Sequence, residues 1–293
     1  MPGRGLRAVL ASSAAFCLTL GLAPGAGASV PATSGPACTR VDGFVADLSG
    51  SLFSMVDTQP LTGVGTLTRG AKVGRGWKGS SFAWVGGGGD GVIYALTWSG
   101  DLKWFKYDST RASWDGATGR VVGTGFVPGR TVINIGLGRK GRFYVVRPNR
   151  DLVEFEHTGW ATGAATWATP HGEKVGIGWT DDEILVPVGD GSLYRQYRGT
   201  LTWYRHSNPS DGPVTWTKRV VGSGWKFYDI RSAGAGVLYT TSVRDGSVRM
   251  YQHLDPTGGS VSWAASTGVA KGEIDDPDSL GLVVDPDSCR LPA

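Results

Sequence analysis

Three observations predict an all-β chain folded as a five-bladed β-propeller: an internal period near 50 residues, an excess of glycine, and many short aromatic-rich runs between glycines. The chain has 293 residues, with 47 Gly, 12 Trp, 9 Tyr and 9 Phe. Glycine at more than twice the usual share of about 7% suits tight turns between short strands, and its dispersal excludes long helices. The expected blades are four-stranded and antiparallel, and the ring is closed by a C-terminal strand pairing with the N-terminal blade.

Residues 1–28 read as a signal peptide. Arg4 and Arg7 begin a basic segment, an apolar run follows from Ala8 to Leu22, and Ala26-Gly27-Ala28 gives small residues for cleavage before Ser29. That run is shorter than the roughly 20 residues that span a bilayer, and no other stretch approaches it, so membrane insertion is not expected. The 29 Lys and Arg exceed the 25 Asp and Glu by little, and Arg4 and Arg7 leave with the signal. The near-neutral remainder lacks the clustered basic surplus of a nucleic-acid binder. The domain reading is a lead-in at 29–42, one propeller at 43–289 and a tail at 290–293, in a secreted, extracellular protein.

Four markers recur in one order. Val-Gly-x-Gly-aromatic occurs at 73–77, 122–126, 175–179 and 221–225, with starts 49, 53 and 46 residues apart. A tryptophan stands upstream at Trp114, Trp167, Trp216 and Trp263, with Leu67 as a degenerate first copy, spaced by 47, 53, 49 and 47. Ile93-Tyr94, Phe143-Tyr144, Leu193-Tyr194 and Leu238-Tyr239 each follow a glycine, and Leu52, Leu102, Leu152, Leu201 and Val248 open the next run. Each period therefore reads as strands a to d. Strand a is expected at 82–85, 131–135, 183–188 and 227–230, b carries the tyrosine, c starts at the leucine, and d runs into the Gly-rich turn. Strand c is apolar in both alternation classes, as in Leu201, Trp203 and Tyr204, which fits burial on both faces between blades.

The first blade is composite. Residues 44–48 and 52–55 read as b and c, 71–73 as d, and the missing a strand is supplied by 280–284. Cys17 leaves with the signal, so Cys38 and Cys289 remain, flanking the gap in that blade, and a disulfide between them would hold the ring shut.

No catalytic or metal constellation stands out. His157, His206 and His253 end successive c strands, with Tyr107 in the same place. A ligand-contacting position competes there with a half-buried strand end, which is favoured, and residues on separate blades cannot converge on one metal. Asp181, Asp182 and Glu183, and Glu273, Asp275, Asp276 and Asp278, read as solvated turns, as do the Asp-Pro-Asp-Ser segments at 276–279 and 285–288 flanking the closing strand. The segment 210–216 is one imperfect copy of the sialidase Asp-box, a structural turn. No cofactor is expected.

Repetition favours binding over catalysis, because near-identical blades create equivalent crevices whose weak affinities combine by multivalency. A Gly-rich turn ending in tryptophan offers an aromatic face for a sugar ring and close backbone approach for its hydroxyls. At these motifs, and at Gly91-Val92-Ile93-Tyr94-Ala95 and 201–206, the chain resembles the tachylectin-2-type propeller lectins and their secreted bacterial relatives, over about 43–284. The resemblance implies a non-enzymatic lectin with sites between blades for N-acetylated hexosamines, GlcNAc or GalNAc. The candidate carbohydrate-binding residues are Trp77, Trp179 and Trp225, with Phe126 in place of the fourth turn tryptophan and Trp114, Trp167, Trp216 and Trp263 as walls. Lys72, Arg120, Lys174 and Arg219 are candidate donors. The competing role for the tryptophans is wedging the blades apart. Phe126, Leu67 and the decayed motif at 268–273 depart from the pattern, so at least one site is expected to be lost. A protein-interaction or adhesion platform is the alternative function, and a five-bladed glycoside hydrolase a third.

Overall fold

The computed structural model describes residues 37–62, 66–189, 191–208, 213–242, 246–264, 267–270 and 280–291. The signal segment 1–28, the start of the Asp-box-like segment and the acidic run from Glu273 to Asp278 lie outside them. Among the described residues, twenty strands form five four-stranded antiparallel sheets, the blades of a propeller. Blade 1 contains β1 (Val41–Ala46), β2 (Ser51–Asp57), β3 (Leu67–Arg75) and β20 (Leu282–Val284). Blade 2 is β4 (Phe82–Gly89), β5 (Val92–Thr97), β6 (Leu102–Asp108) and β7 (Ser113–Gly123). Blade 3 is β8 (Asn134–Leu137), β9 (Arg142–Val146), β10 (Asp151–Glu156) and β11 (Glu173–Ile177). Blade 4 is β12 (Glu183–Gly189), β13 (Ser192–Tyr197), β14 (Gly199–His206) and β15 (Trp216–Trp225), and blade 5 is β16 (Phe227–Gly234), β17 (Val237–Ser242), β18 (Val248–Gln252) and β19 (Thr267–Ala270).

Two strand expectations shift. The a strand expected at 131–135 is β8, which starts only at Asn134, because the preceding loop braces itself: the Thr131 hydroxyl donates to Gly125 O and accepts from the Val127 amide at 2.6 and 2.7 Å. The d strand expected at 71–73 extends over the whole of β3. In the composite blade β20 lies antiparallel to β1, with Gly43 opposite Val284 and Val45 opposite Leu282. Beside this pair Cys38 and Cys289 are joined in a disulfide, and Ala37 and Arg290 bridge. Asp285, Asp287 and Ser288 form the expected turn, closed by the Asp287 amide on Asp285 Oδ1 at 2.9 Å.

The apolar residues do not gather into one central core. They form five clusters, each between two neighbouring blades, because strands b and c project apolar side chains from both faces. On β5, Ile93 faces Phe44 and Leu52 of blade 1, while Tyr94 faces Phe143 and Val145 of blade 3.

A polar latch repeats inside these interfaces. The Tyr94 hydroxyl meets His157 Nδ1 at 2.7 Å, Tyr144 meets His206 Nε2 at 2.7 Å, and Tyr194 meets His253 Nδ1 at 2.6 Å. The second ring nitrogen of each histidine lies 2.6–2.7 Å from a backbone carbonyl, of Ala164, Ser207 and Ser260 respectively. A carbonyl only accepts, so that nitrogen carries the proton; in His157 and His253 the first nitrogen accepts from the tyrosine, whereas the Tyr144 hydroxyl lies between His206 Nε2 and Glu154 Oε1, to which it donates at 3.3 Å. Asp57 replaces histidine between blades 5 and 1, accepting from Tyr239 at 2.7 Å. Between blades 1 and 2 both polar partners are lost together, and Phe44 meets Tyr107 edge-on at 5.8 Å. The three histidines are therefore interior latches, almost fully buried rather than half-buried strand ends.

Candidate functional site

The Val-Gly-x-Gly-aromatic element is the end of strand d, and its first residue is a β-bulge. In blade 3, Val153 pairs with Lys174 and Leu152 with Gly176, leaving Val175 as the extra residue, and the same shift leaves Val73, Val122, Val221 and Val269 unpaired in the other blades. The bulge turns Val122, Val175 and Val221 into the blade interface and frees their carbonyls from the ladder. Gly176 then has no room for a side chain, since a Cβ there would lie 2.7 Å from Trp179 Nε1, and Gly178 adopts φ +82° with open space around it. One glycine is required by packing and the other by backbone conformation.

The upstream tryptophans use the freed carbonyls. Trp114, Trp167, Trp216 and Trp263 each donate Nε1 to the bulge carbonyl of the preceding blade, at Val73, Val122, Val175 and Val221, over 2.5–2.7 Å. They are half-buried clamps between blades. The turn tryptophans Trp77, Trp179 and Trp225 are 5, 5 and 7% exposed. Each packs against the clamp indole of the next blade and one c-strand aromatic: Trp77 on Phe105 at 4.8 Å, Trp179 on Tyr204 at 5.1 Å and Trp225 on Tyr251 at 4.8 Å. Those three rings therefore present only an edge to solvent.

The copy that departs from the pattern differs. Phe126 is half-buried, packs on Phe155 at 5.3 Å and lies 6.3 Å from Trp167. The smaller ring leaves a crevice of about 660 Å³ between blades 2 and 3, floored by Phe126, Phe155 and Trp167 and rimmed by Arg130, Arg147 and His171. Substitution of the tryptophan thus opens the interface. The structure brings the candidate residues together in pairs, one turn aromatic with one clamp indole at each of four interfaces: Trp77 with Trp114, Phe126 with Trp167, Trp179 with Trp216 and Trp225 with Trp263.

Three of the expected sugar donors are engaged elsewhere. Lys72 bonds Ser51, Lys174 pairs with Asp151 at 2.7 Å, and Arg120 binds Asp115 at 2.6 Å and Thr162 O at 2.7 Å. Glu183, expected in a solvated turn, is buried against Arg195 and accepts from the Thr180 amide, and burial holds its carboxyl above the usual range. Sequence reasoning missed Arg130, Arg147 and His171. The available signal was a break in the repeat: by strand register Arg147 stands where Asp47, Thr97, Tyr197 and Ser242 follow strand b in the other blades. Trp104, which sequence reasoning passed over, and Trp203, which it placed between blades, have fully buried indoles that donate to Trp160 O and Pro256 O at 2.7 and 2.9 Å. Among the described residues no group of three or more His, Cys, Asp or Glu is placed to hold a metal ion.

The chain is similar to several solved structures. One is a symmetrical protein studied for its de novo evolutionary emergence, with 16% identity, TM-score 0.49, and coverage of 83% of this chain and 98% of that one. Another is SapL1 lectin in complex with α-methyl fucoside, with 13% identity, TM-score 0.37, and coverage of 79% and 76%. A third is a carbohydrate-active enzyme of family AA12 from Trichoderma reesei, with 13% identity, TM-score 0.39, and coverage of 80% and 84%. No curated protein sequence matches significantly. The Tachylectin family model matches residues 46–273, which takes in all four copies of the bulge motif and every candidate aromatic residue. The chain belongs to the Tachylectin family.

Proposed function

We propose that the protein is a secreted, non-catalytic sugar-binding propeller that takes N-acetylated hexosamines, GlcNAc or GalNAc, in crevices between blades. The observation that carries this reading is the crevice between blades 2 and 3. Its aromatic floor suits the apolar face of a pyranose, and its rim supplies the few directed polar groups that a carbohydrate needs. Family membership supports the same reading. Trp77, Trp179 and Trp225 with their clamps Trp114, Trp216 and Trp263 are the equivalent aromatic pairs at the other interfaces. Weak sites repeated around a ring gain strength on a clustered glycan. The segment before Ser29 supports the export part of this reading, and the pairing of β20 with β1 beside the disulfide supports a ring closed for use outside the cell.

A glycan array probed with the folded protein tests the function. The expected result is binding to N-acetylhexosamine glycans that free GlcNAc or GalNAc displaces at roughly millimolar concentration. A blank array from folded protein would remove the lectin reading in favour of a protein-interaction platform. N-terminal sequencing of the exported protein should begin at Ser29.

A further inference from the structure

The crevice between blades 2 and 3 has a basic lining. Arg130, Arg147 and His171 line it, and none of its lining residues is acidic. Arg130 is exposed and its guanidinium has no partner among the described residues. Arg147 spends one Nη2 hydrogen on His171 O at 2.9 Å, which fixes the side chain against the crevice wall and leaves its other donors unspent. The nearest carboxylate in sequence, Asp151, lies within electrostatic range of Arg147 but is hydrogen-bonded to Lys174 at 2.7 Å and Asn149 at 2.9 Å, not to the guanidinium. By contrast, Arg195 beside Trp179 is neutralised by Glu183.

Two guanidinium groups over an aromatic floor, with no acid among the lining residues, form a receptor for a flat ring that carries an anion at its edge. We infer that this crevice takes a carboxylate-bearing pyranose, a hexuronic acid residue of a glycan: the ring lies on Phe126 and Trp167, and the carboxylate meets Arg130 and Arg147. The inference rests on the sugar-binding reading and parts from its neutral ligands at this one interface. A planar carboxylate accepts paired N–H bonds from a guanidinium fork, which a neutral hydroxymethyl group cannot do.

Methyl glucuronide and methyl glucoside differ only at C6, so titrating the purified protein with each, followed by calorimetry and by tryptophan fluorescence, isolates the carboxylate. The expected result is glucuronide binding about tenfold or more tighter than glucoside, a preference that Arg130→Gln and Arg147→Gln each reduce towards parity. Raising salt from ~50 to ~500 mM should weaken glucuronide alone, because screening acts on the ion pair. Arg130→Gln alters an exposed side chain, so its melting temperature should match the parent and certify the fold. Equal affinities, unchanged in both variants, would overturn the carboxylate assignment and leave sugar binding in place. Preference for glucose 6-sulfate over glucuronide would overturn it too. Failure of folded protein to bind any sugar, N-acetylhexosamines included, would overturn this inference and the proposed function together.

Discussion

Trp216 serves two blades with one side chain: its ring packs on Trp179 at 5.9 Å while Nε1 satisfies the bulge carbonyl of Val175 at 2.5 Å. Trp216→Phe keeps much of the apolar contact and strands that carbonyl, so it should cost about 1–3 kcal/mol in urea unfolding. Trp167 makes the same bond to Val122 but also walls the open crevice. Trp167→Phe should therefore lower both stability and sugar affinity, whereas Trp216→Phe lowers stability and spares binding at the blade 2–3 crevice. Equal loss of affinity in the two would refute the separation of clamp from contact. The latches make a second residue-level prediction. Burial holds His157 and His253 below the ordinary histidine pKa of 6.5, each with one ring nitrogen bonded to a carbonyl and the other to a tyrosine hydroxyl. With the folded pKa below the unfolded one, the unfolded chain takes up the proton first. Stability is complete above about pH 6.5 and is lost as pH falls from there through the folded values. Urea midpoints should be level between about pH 7 and 8 and decline from about 6.5 towards 5, above the range where the hydrogen-bonded aspartates Asp108 and Asp151 titrate. A midpoint unchanged over that window would show that the latches tolerate the charge.

The repeated element explains why so much of the fold was legible. A bulge valine, a glycine excluded from carrying a side chain, and a glycine at positive φ impose the same residue types where strand d ends in four of the blades, so the spacing of the motif gave the blade period and located the strands. Gly178→Ala places a Cβ in the left-handed region without any contact and should cost about 1 kcal/mol; Gly176→Ala drives a Cβ into Trp179 and should cost about 1–3 kcal/mol and shift the near-ultraviolet tryptophan signal. Thermal unfolding compares the two, and a neutral Gly178→Ala would remove the backbone argument. The site was less legible for the same reason. A repeat shows which residue follows the turn but not that the next blade covers it, so Trp77 and Trp179 read as sugar platforms although both are 5% exposed. The proposed site lies where the pattern breaks, at Phe126, Arg130 and Arg147. A search for what is shared passes over them.

Because the apolar clusters lie between blades, stability is distributed around the ring, and every blade depends on its two neighbours. The interface between blades 5 and 1 carries the first and last described strands, β1 and β20. There Met55, Tyr239 and Met250 pack with Leu282 and Val284 of β20, a strand of three residues, and with Cys38 and Cys289, which are 251 positions apart in sequence. So short a strand offers few ladder bonds to hold the ends together, while a crosslink over that span removes much entropy from the unfolded chain, about 5 kcal/mol on the loop-closure account. Reduction, or Cys38→Ser with Cys289→Ser, should therefore lower the melting temperature by on the order of 10 °C. Amide exchange should quicken first in β1 and β20, where the ring would part, and only later in β5 and β6, whose partners on both sides are continuous in sequence. The same protein, reduced, should lose affinity for a multivalent glycan before it loses affinity for a monovalent sugar bound between blades 2 and 3, because that crevice lies away from the chain ends. An unchanged melt with uniform exchange would mean that the apolar cluster at this interface closes the ring without the disulfide.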